Sequence, residues 1–298
     1  MRVLVSGSSG LIGSALLRSL AGAGDSVVRL VRRTPATDEV RLDPAVDPPF
    51  TRAGEDQDFD AVVHLAGESI SGRWTTAKKT RIRDSRVQGT RMLASALGRS
   101  IRRPRVMVCA SAIGFYGNRG DEVLQEESAS GSDFLAEVCR QWEAAPEPAV
   151  RVGIRVVSLR FGVVLSPRGG ALARMLPPFR MGAGGRIGSG RQWMSWIALD
   201  DAVGIVQHAL ASESLRGPVN TVAPRPITNA EFARTFGAAL HRPAILPLPA
   251  FMVRLMFGEM GEALLLSSQR VDCGKLLASG YRFRHSELKP ALEALLAA

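Results

Sequence analysis

Cysteine is scarce in this chain of 298 residues. Cys109, Cys139 and Cys273 stand far apart, which excludes a disulfide framework and a zinc cluster and leaves buried thiols in a reducing compartment. Long apolar runs are missing too. No uncharged stretch approaches the ~20 residues of a membrane helix. The most apolar one, "VRVGIRVVSLRFGVVL", carries Arg151, Arg155 and Arg160. The opening "MRVLVSGSSG" holds too short an apolar run for a secretory leader. These absences predict a cytoplasmic protein without membrane contact. Aromatic residues make up only 6% of the chain, and zinc-finger spacing, a helix-turn-helix signature and an aromatic-rich RNA-binding strand are lacking, so no nucleic-acid partner is expected.

One absence is local. No acidic residue occurs between Glu147 and Asp200, while Arg151, Arg155, Arg160, Arg168, Arg174, Arg180, Arg186 and Arg191 supply eight positive charges. The formal net charge is +10, so the rest of the chain sums to only +2. Such a stretch fits a surface that meets an anion, and the expected partner is a small anionic substrate.

What is present is an ordinary globular composition, 46% hydrophobic and 22% charged, in which strand and helix patterns alternate. Short apolar strands are read at Val3–Ser6, Ser26–Val31, Ala61–Gly67, Arg105–Ala112 and Ile154–Leu159. Helices are read from Leu11, over Thr75–Leu97, Asp133–Ala144 and Asp200–Leu210, and from Asn229, where Thr228 and Glu231 form a capping box. This alternation predicts an α/β fold: a doubly wound parallel sheet of the Rossmann kind, with a smaller C-terminal substrate-binding lobe. Residues 1–165, completed by about 200–222, would form the dinucleotide domain; 166–199 and 223–298 would form the lobe. A homodimer is kept open.

"VSGSSGLIGSAL" sets Gly7, Gly10 and Gly13 between the first strand and the first helix. Gly7 permits the tight turn, Gly10 the approach of a pyrophosphate, and Gly13 close helix–sheet packing. Ser8, Ser9, Leu11 and Ile12 complete the loop, whose N–H groups face the anion. The second strand ends in "RLVRRTP". An acid there would hold the ribose of NAD; Arg32 and Arg33 stand there instead, which favours the 2′-phosphate of NADP, with Arg32 as the preferred clamp.

The motifs "SGSSGLIG", "HLAGESI", "RVQGT", "SAIGFYG", "GGALARMLPPF", "GSGRQ", "SWIALDD" and "TNAEFA" resemble the epimerase-like branch of the extended short-chain dehydrogenase/reductases. The similarity is to atypical, nucleoside-diphosphate-sugar epimerase-like members that end in a small domain of unknown function. That resemblance implies bound NAD(P) and a C-terminal substrate lobe. It places Leu65, Ala66 and Gly67 along the adenosine, Arg86 where the family has an asparagine by the cofactor, and Val163 at the nicotinamide end.

The family's reaction uses a tyrosine, a lysine four residues later, and a serine. In "GSDFLAEVCRQWE" those helix positions hold Phe134 or Leu135 and Val138 or Cys139, and the serine position falls on Ala112. A phenylalanine has no proton to give. Ser111 and Tyr116 are the nearest candidate catalytic groups, with His64, Glu68 and Cys139 as further ones; packed, locally bonded roles are the plainer alternatives for Tyr116, His64 and Cys139. In the arginine-rich part, Met194 and Ser195 replace the family's Arg-Asp pair, and Arg186 and Arg191 could substitute. Asp200 and Asp201 read as helix caps. No metal site is expected. Two readings stay open: an NADP-dependent, epimerase-like oxidoreductase with non-standard acid–base residues, or a catalytically silent NADPH-binding regulator or scaffold.

Overall fold

Val3, Leu4 and Val5 expose no surface, and the strand they form, β1 (Arg2–Ser6), runs through the middle of the main sheet. The glycine turn passes the chain to α1 (Leu11–Gly22). Then come β2 (Ser26–Val31), β3 (Glu39–Leu42), β4 (Phe50–Thr51), β5 (Ala61–His64), α2 (Thr76–Arg99) and β6 (Val106–Ala112). A 3-10 turn (Ile113–Tyr116) leads to β7 (Val123–Leu124), α3 (Phe134–Ala144), α4 (Glu147–Arg151), β8 (Arg155–Phe161), β9 (Val163–Leu165) and α5 (Gly170–Arg180). The chain continues through β10 (Trp193–Met194), β11 (Trp196–Ala198), α6 (Leu199–Ala211), β12 (Gly217–Thr221), β13 (Ile227–Thr228) and α7 (Asn229–Ala239). It ends with α8 (Ala250–Gly261), β14 (Arg270–Val271), α9 (Gly274–Ala278) and α10 (Leu288–Ala297). This computed structural model describes residues 1–43, 45, 50–51 and 58–297.

The main sheet has the order β12-β8-β6-β5-β1-β2-β3-β4. All its strand pairs are parallel except β3–β4. Buried leucines and valines of α1 and α6 cover one face, and those of α2, with Ala149 of α4, cover the other. The expected doubly wound parallel sheet is what the chain forms. Its strands end on one edge, at Ser6, Val31, His64, Ala112 and Phe161, where open α/β sheets bind ligands. A second core, with Leu172, Phe232, Phe236 and Leu292, joins α5, α7 and α10.

Several elements differ from the sequence reading. The strand expected to reach Gly67 stops at His64, which frees Leu65–Gly67 to turn across the sheet edge. The strands β3 and β4, at one end of the sheet, carry little periodicity and are not among the strands read from the sequence. Residues 166–199, where no helix is read from the sequence, contain α5, despite Pro177 and Pro178 inside it. Thr228 does cap α7, its side chain accepting from Glu231 N at 3.3 Å. Asp200 and Asp201 do not cap α6, whose N-cap is Ala198. Asp201 is fully buried instead and accepts from Tyr281 Oη and from the backbone N–H groups of Arg284 and His285, at 2.8–3.0 Å. It ties the tail to the sheet layer.

Candidate functional site

The glycine turn is shaped by sterics. Gly7 has φ +68°, and a Cβ there would lie 2.6 Å from the Leu65 carbonyl carbon. A Cβ on Gly13 would lie 2.2 Å from the Gly7 carbonyl oxygen, so only glycine lets α1 start against the turn. At Gly10 the nearest protein atom would be 3.3 Å away, and the residue is exposed. No side chain caps α1, and its first turn holds no acid. Its leading N–H groups are thus left for an anion, with Ser8 and Ser9 beside them. Leu65 and Ala66 face the turn across the sheet edge, Gly67 follows beside Arg86, and Val163, half-buried at the head of β9, donates its N–H to Ser195 O.

Beyond β2 the two arginines part. Arg33 donates to Glu39 Oε1 at 2.7 Å, and Arg29 pairs with the same oxygen at 3.1 Å. Glu39 has no exposed side-chain surface and also accepts from Ala36 N, so this acid cannot reach a ribose hydroxyl. Arg32 is exposed and makes no hydrogen bond or ion pair among the described residues. Its charge joins Lys78 and Arg81 in holding the Glu68 carboxyl below the usual range, Lys78 having the largest effect through a 2.6 Å contact.

Arg86 supports the loop. Its Nη1 donates to Glu68 O at 2.9 Å and to Ile82 O at 3.1 Å, and its guanidinium stacks over Trp142. A Cβ on Gly67 would sit 3.2 Å from Arg86 Cζ. The guanidinium thus lies under the Gly67–Glu68 turn, with burial lowering its pKa.

Ser111 and Tyr116 belong to one buried network. Ser111 Oγ donates to Glu143 Oε1 at 2.6 Å. Arg160 is 3% exposed and grips both Glu143 oxygens at 2.8 Å. Its Nη1 also donates to Tyr116 Oη at 2.8 Å and to Glu126 O at 3.0 Å. Tyr116 Oη donates to Asn220 Oδ1 at 2.7 Å, and Asn220 Nδ2 donates to Asp272 O at 2.9 Å. Tyr116 exposes nothing to solvent, and burial pushes its phenol up to about 12. The network joins β6, α3, β8 and β12 to the chain just after β14. Neither candidate presents a free proton to the sheet edge.

The helix positions of the family's pair are apolar in fact as well as in sequence. Leu135, Val138 and Cys139 are buried, and Phe134 packs edge-on against Trp74 with ring centres 5.3 Å apart. Burial pushes all three thiols up to about 12, so none is a thiolate near neutrality.

His64 ends β5 with Nδ1 2.6 Å from Ser6 Oγ, while its buried Nε2 has no partner. Burial drops its pKa to about 4, against 6.5 in an open chain. The unfolded chain therefore binds a proton that the native chain refuses between those values, and stability falls as pH drops through that window. The expected slope is about 1.4 kcal/mol per pH unit. Urea melts from pH 4.5 to 7 should show a shallower pH dependence for His64→Gln than for the unaltered chain. Parallel slopes would remove this role from His64.

Of the eight arginines in the acid-free stretch, three are structural. Arg151 pairs with Glu147, Arg155 caps the end of α6 through Ala209 O and Leu210 O, and Arg160 anchors the network above. Arg168, Arg174, Arg180, Arg186 and Arg191 are exposed. Arg174 Nη1 donates to Ser71 Oγ at 2.7 Å, bridging α5 to the loop after β5. Arg186 Nη1 turns back to Ser189 O. Sequence reasoning missed the roles of Glu39, Glu143, Asn220 and Asp201. The one signal available was a lone charge, Arg160, inside an apolar strand. No helix among the described residues is long and apolar enough to cross a membrane.

The comparisons agree with this geometry. The epimerase family protein Mb2239 of Mycobacterium bovis is 45% identical over 295 residues, covering 97% of this chain and 96% of that one. The human epimerase family protein SDR39U1 is 38% identical; its structure, solved with NADPH, matches with a TM-score of 0.91 over 100% of this chain and 99% of the human one. A nucleoside-diphosphate sugar epimerase structure from Corynebacterium glutamicum is 37% identical, with a TM-score of 0.79 over 99% of this chain and 58% of that one. Residues 248–295 match a domain of unknown function, DUF1731, and residues 3–221, which hold the glycine turn and the main sheet, match the NAD dependent epimerase/dehydratase family. The chain belongs to the NAD dependent epimerase/dehydratase family.

Proposed function

We propose that this chain binds NADP(H), in preference to NAD(H), and that it does not run the tyrosine–lysine chemistry of the epimerases. The observation that carries the cofactor preference is the division of labour between two adjacent arginines: Arg33 is consumed by Glu39, while Arg32 stays free at the end of β2. The glycine turn and the uncapped α1 fit the diphosphate, and the human relative was solved with NADPH. Nicotinamide, when bound, supplies a hydride carrier. The residues around the sheet edge would orient and dehydrate it. Gly7, Gly10 and Gly13 admit the dinucleotide; Leu65, Ala66 and Gly67 border its adenosine half; Arg86 braces that border; Val163 borders the other half.

The silent reading rests on the buried network. Ser111 and Tyr116 have their protons committed to Glu143 and Asn220, and Leu135 and Cys139 offer no replacement. A second reading, turnover of a small anionic substrate, is favoured by the exposed arginines on the lobe side and by the Arg174–Ser71 bridge. Calorimetry with NADPH and NADH, followed by NADPH absorbance with a panel of carbonyl compounds and sugar nucleotides, separates the two. Tight NADPH binding with constant absorbance is expected. Substrate-dependent loss of absorbance would overturn the silent reading in favour of an oxidoreductase.

A further inference from the structure

A cavity of about 320 Å³ opens beside the first turn of α1. Gly10, Leu11, Ser14 and Arg18 line one side; Arg168 and Gly169 line the other. Leu11, Ser14 and Arg18 share one helix face, and side chains on a helix lean toward its N-terminus, so Arg18 is directed back along α1 toward the glycine turn. Arg168 sits on the loop between β9 and α5. That loop is docked on α1: a Cβ on Gly169 or Gly170 would lie 3.4 Å from the Leu11 side chain. Arg168 N donates to Ser166 Oγ at 3.2 Å, and Gly170 turns the chain at φ +72°.

Neither guanidinium makes a hydrogen bond or ion pair among the described residues. Asp200, next to the cavity-lining Leu199, pairs with neither among the described residues. Two unpaired, exposed arginines thus line a cavity at a helix end that no side chain caps. Arginine matches phosphoryl oxygens with paired donors, and two of them suit an anion of two charges better than one. We infer that Arg18 and Arg168 form an outer wall of the cofactor site and bind the diphosphate of the dinucleotide, Arg168 doing so from the loop that leads into the lobe. This rests on the NADP(H) reading and adds two residues to it.

Calorimetry on the intact chain tests this with three ligands: NADPH, NADH and adenosine 2′-monophosphate, which lacks a diphosphate. Arg168→Ala should weaken NADPH and NADH by the same factor, roughly tenfold, and leave the monophosphate unchanged. Arg18→Ala should do the same more weakly. Arg32→Ala should show the opposite pattern, weakening NADPH and the monophosphate but not NADH. Thermal melts should stay unchanged, since Arg18 and Arg168 bond nothing in the protein. If the unaltered chain binds NADPH and Arg168→Ala binds both dinucleotides as tightly, the wall is refuted while the cofactor reading stands. If the unaltered chain binds no dinucleotide, both fall.

Discussion

Arg32→Ala is expected to weaken NADPH roughly tenfold to a hundredfold and to leave NADH within about twofold. The argument is one of availability. A guanidinium contributes to a ligand only what it does not already give to the protein. Arg33 gives both of its hydrogen bonds to the chain, to Glu39 and to Thr34 O, whereas Arg32 gives none. A charge-assisted contact to a phosphate is worth about 1.5–3 kcal/mol net, and that difference is felt only by the nucleotide that carries the 2′-phosphate. Arg33→Ala makes the control. It should lower stability, because Glu39 is fully buried and loses one of its cations, with less effect on affinity. Equal losses of NADPH and NADH in Arg32→Ala would end the cofactor assignment.

Arg160→Met is expected to cost about 3–5 kcal/mol of stability, the cost of removing one partner from a buried ion pair. Burial works against the charge on Arg160, yet Glu143 and Tyr116 more than offset it and its pKa rises. Removing it strands the Glu143 carboxylate and takes a donor from Tyr116 Oη and from Glu126 O. Arg160→Lys should rescue little. A single ammonium cannot hold two carboxylate oxygens, a phenol and a carbonyl at once. Urea unfolding measures this, and a loss under about 1 kcal/mol would mean the network is solvated rather than structural. NADPH affinity of Tyr116→Phe should match that of the unaltered chain, since this phenol points into the protein.

How much of this could be read from residues alone depends on the range of the interaction. The glycine turn was legible because the positive φ of Gly7 and the approach of Gly13 to Gly7 O are demands set within ten residues of chain, though Gly7 also answers to Leu65 across the sheet edge. The helix at Asn229 was legible for the same reason, through Thr228 and Glu231. Arg32 over Arg33 was a reasonable preference, but the reason for it, Glu39 turned inward, depends on β2 pairing with β3 at Arg29–Glu39. Ser111 and Tyr116 looked available because strand register is invisible in sequence. In the folded chain Ser111 pairs with Arg160 across β6–β8, so both point to the same face and meet Glu143. Asp201 looked like a cap because its partners lie some eighty residues on, in Tyr281, Arg284 and His285. Pro177 and Pro178 argued for a loop, since each removes a helix donor. Placed in the last turn of α5, they still accept: Met181 N donates to Pro177 O and Ala183 N to Pro178 O.

The tail's grip on the sheet layer bears on how the chain is made. Asp201 waits for the amides of Arg284 and His285, β7 for its pairing with β14, and Asn220 for Asp272 O. A nascent chain emerging from the ribosome holds β1 through β12 long before those partners exist. Until synthesis passes His285, the buried Asp201 carboxylate lacks its native set of donors, and before Asp272 is made Asn220 Nδ2 lacks its 2.9 Å acceptor. These contacts therefore close only once Asp272, Arg284 and His285 have been made, and a fragment cut at the boundary between the two family matches inherits the same vacancies.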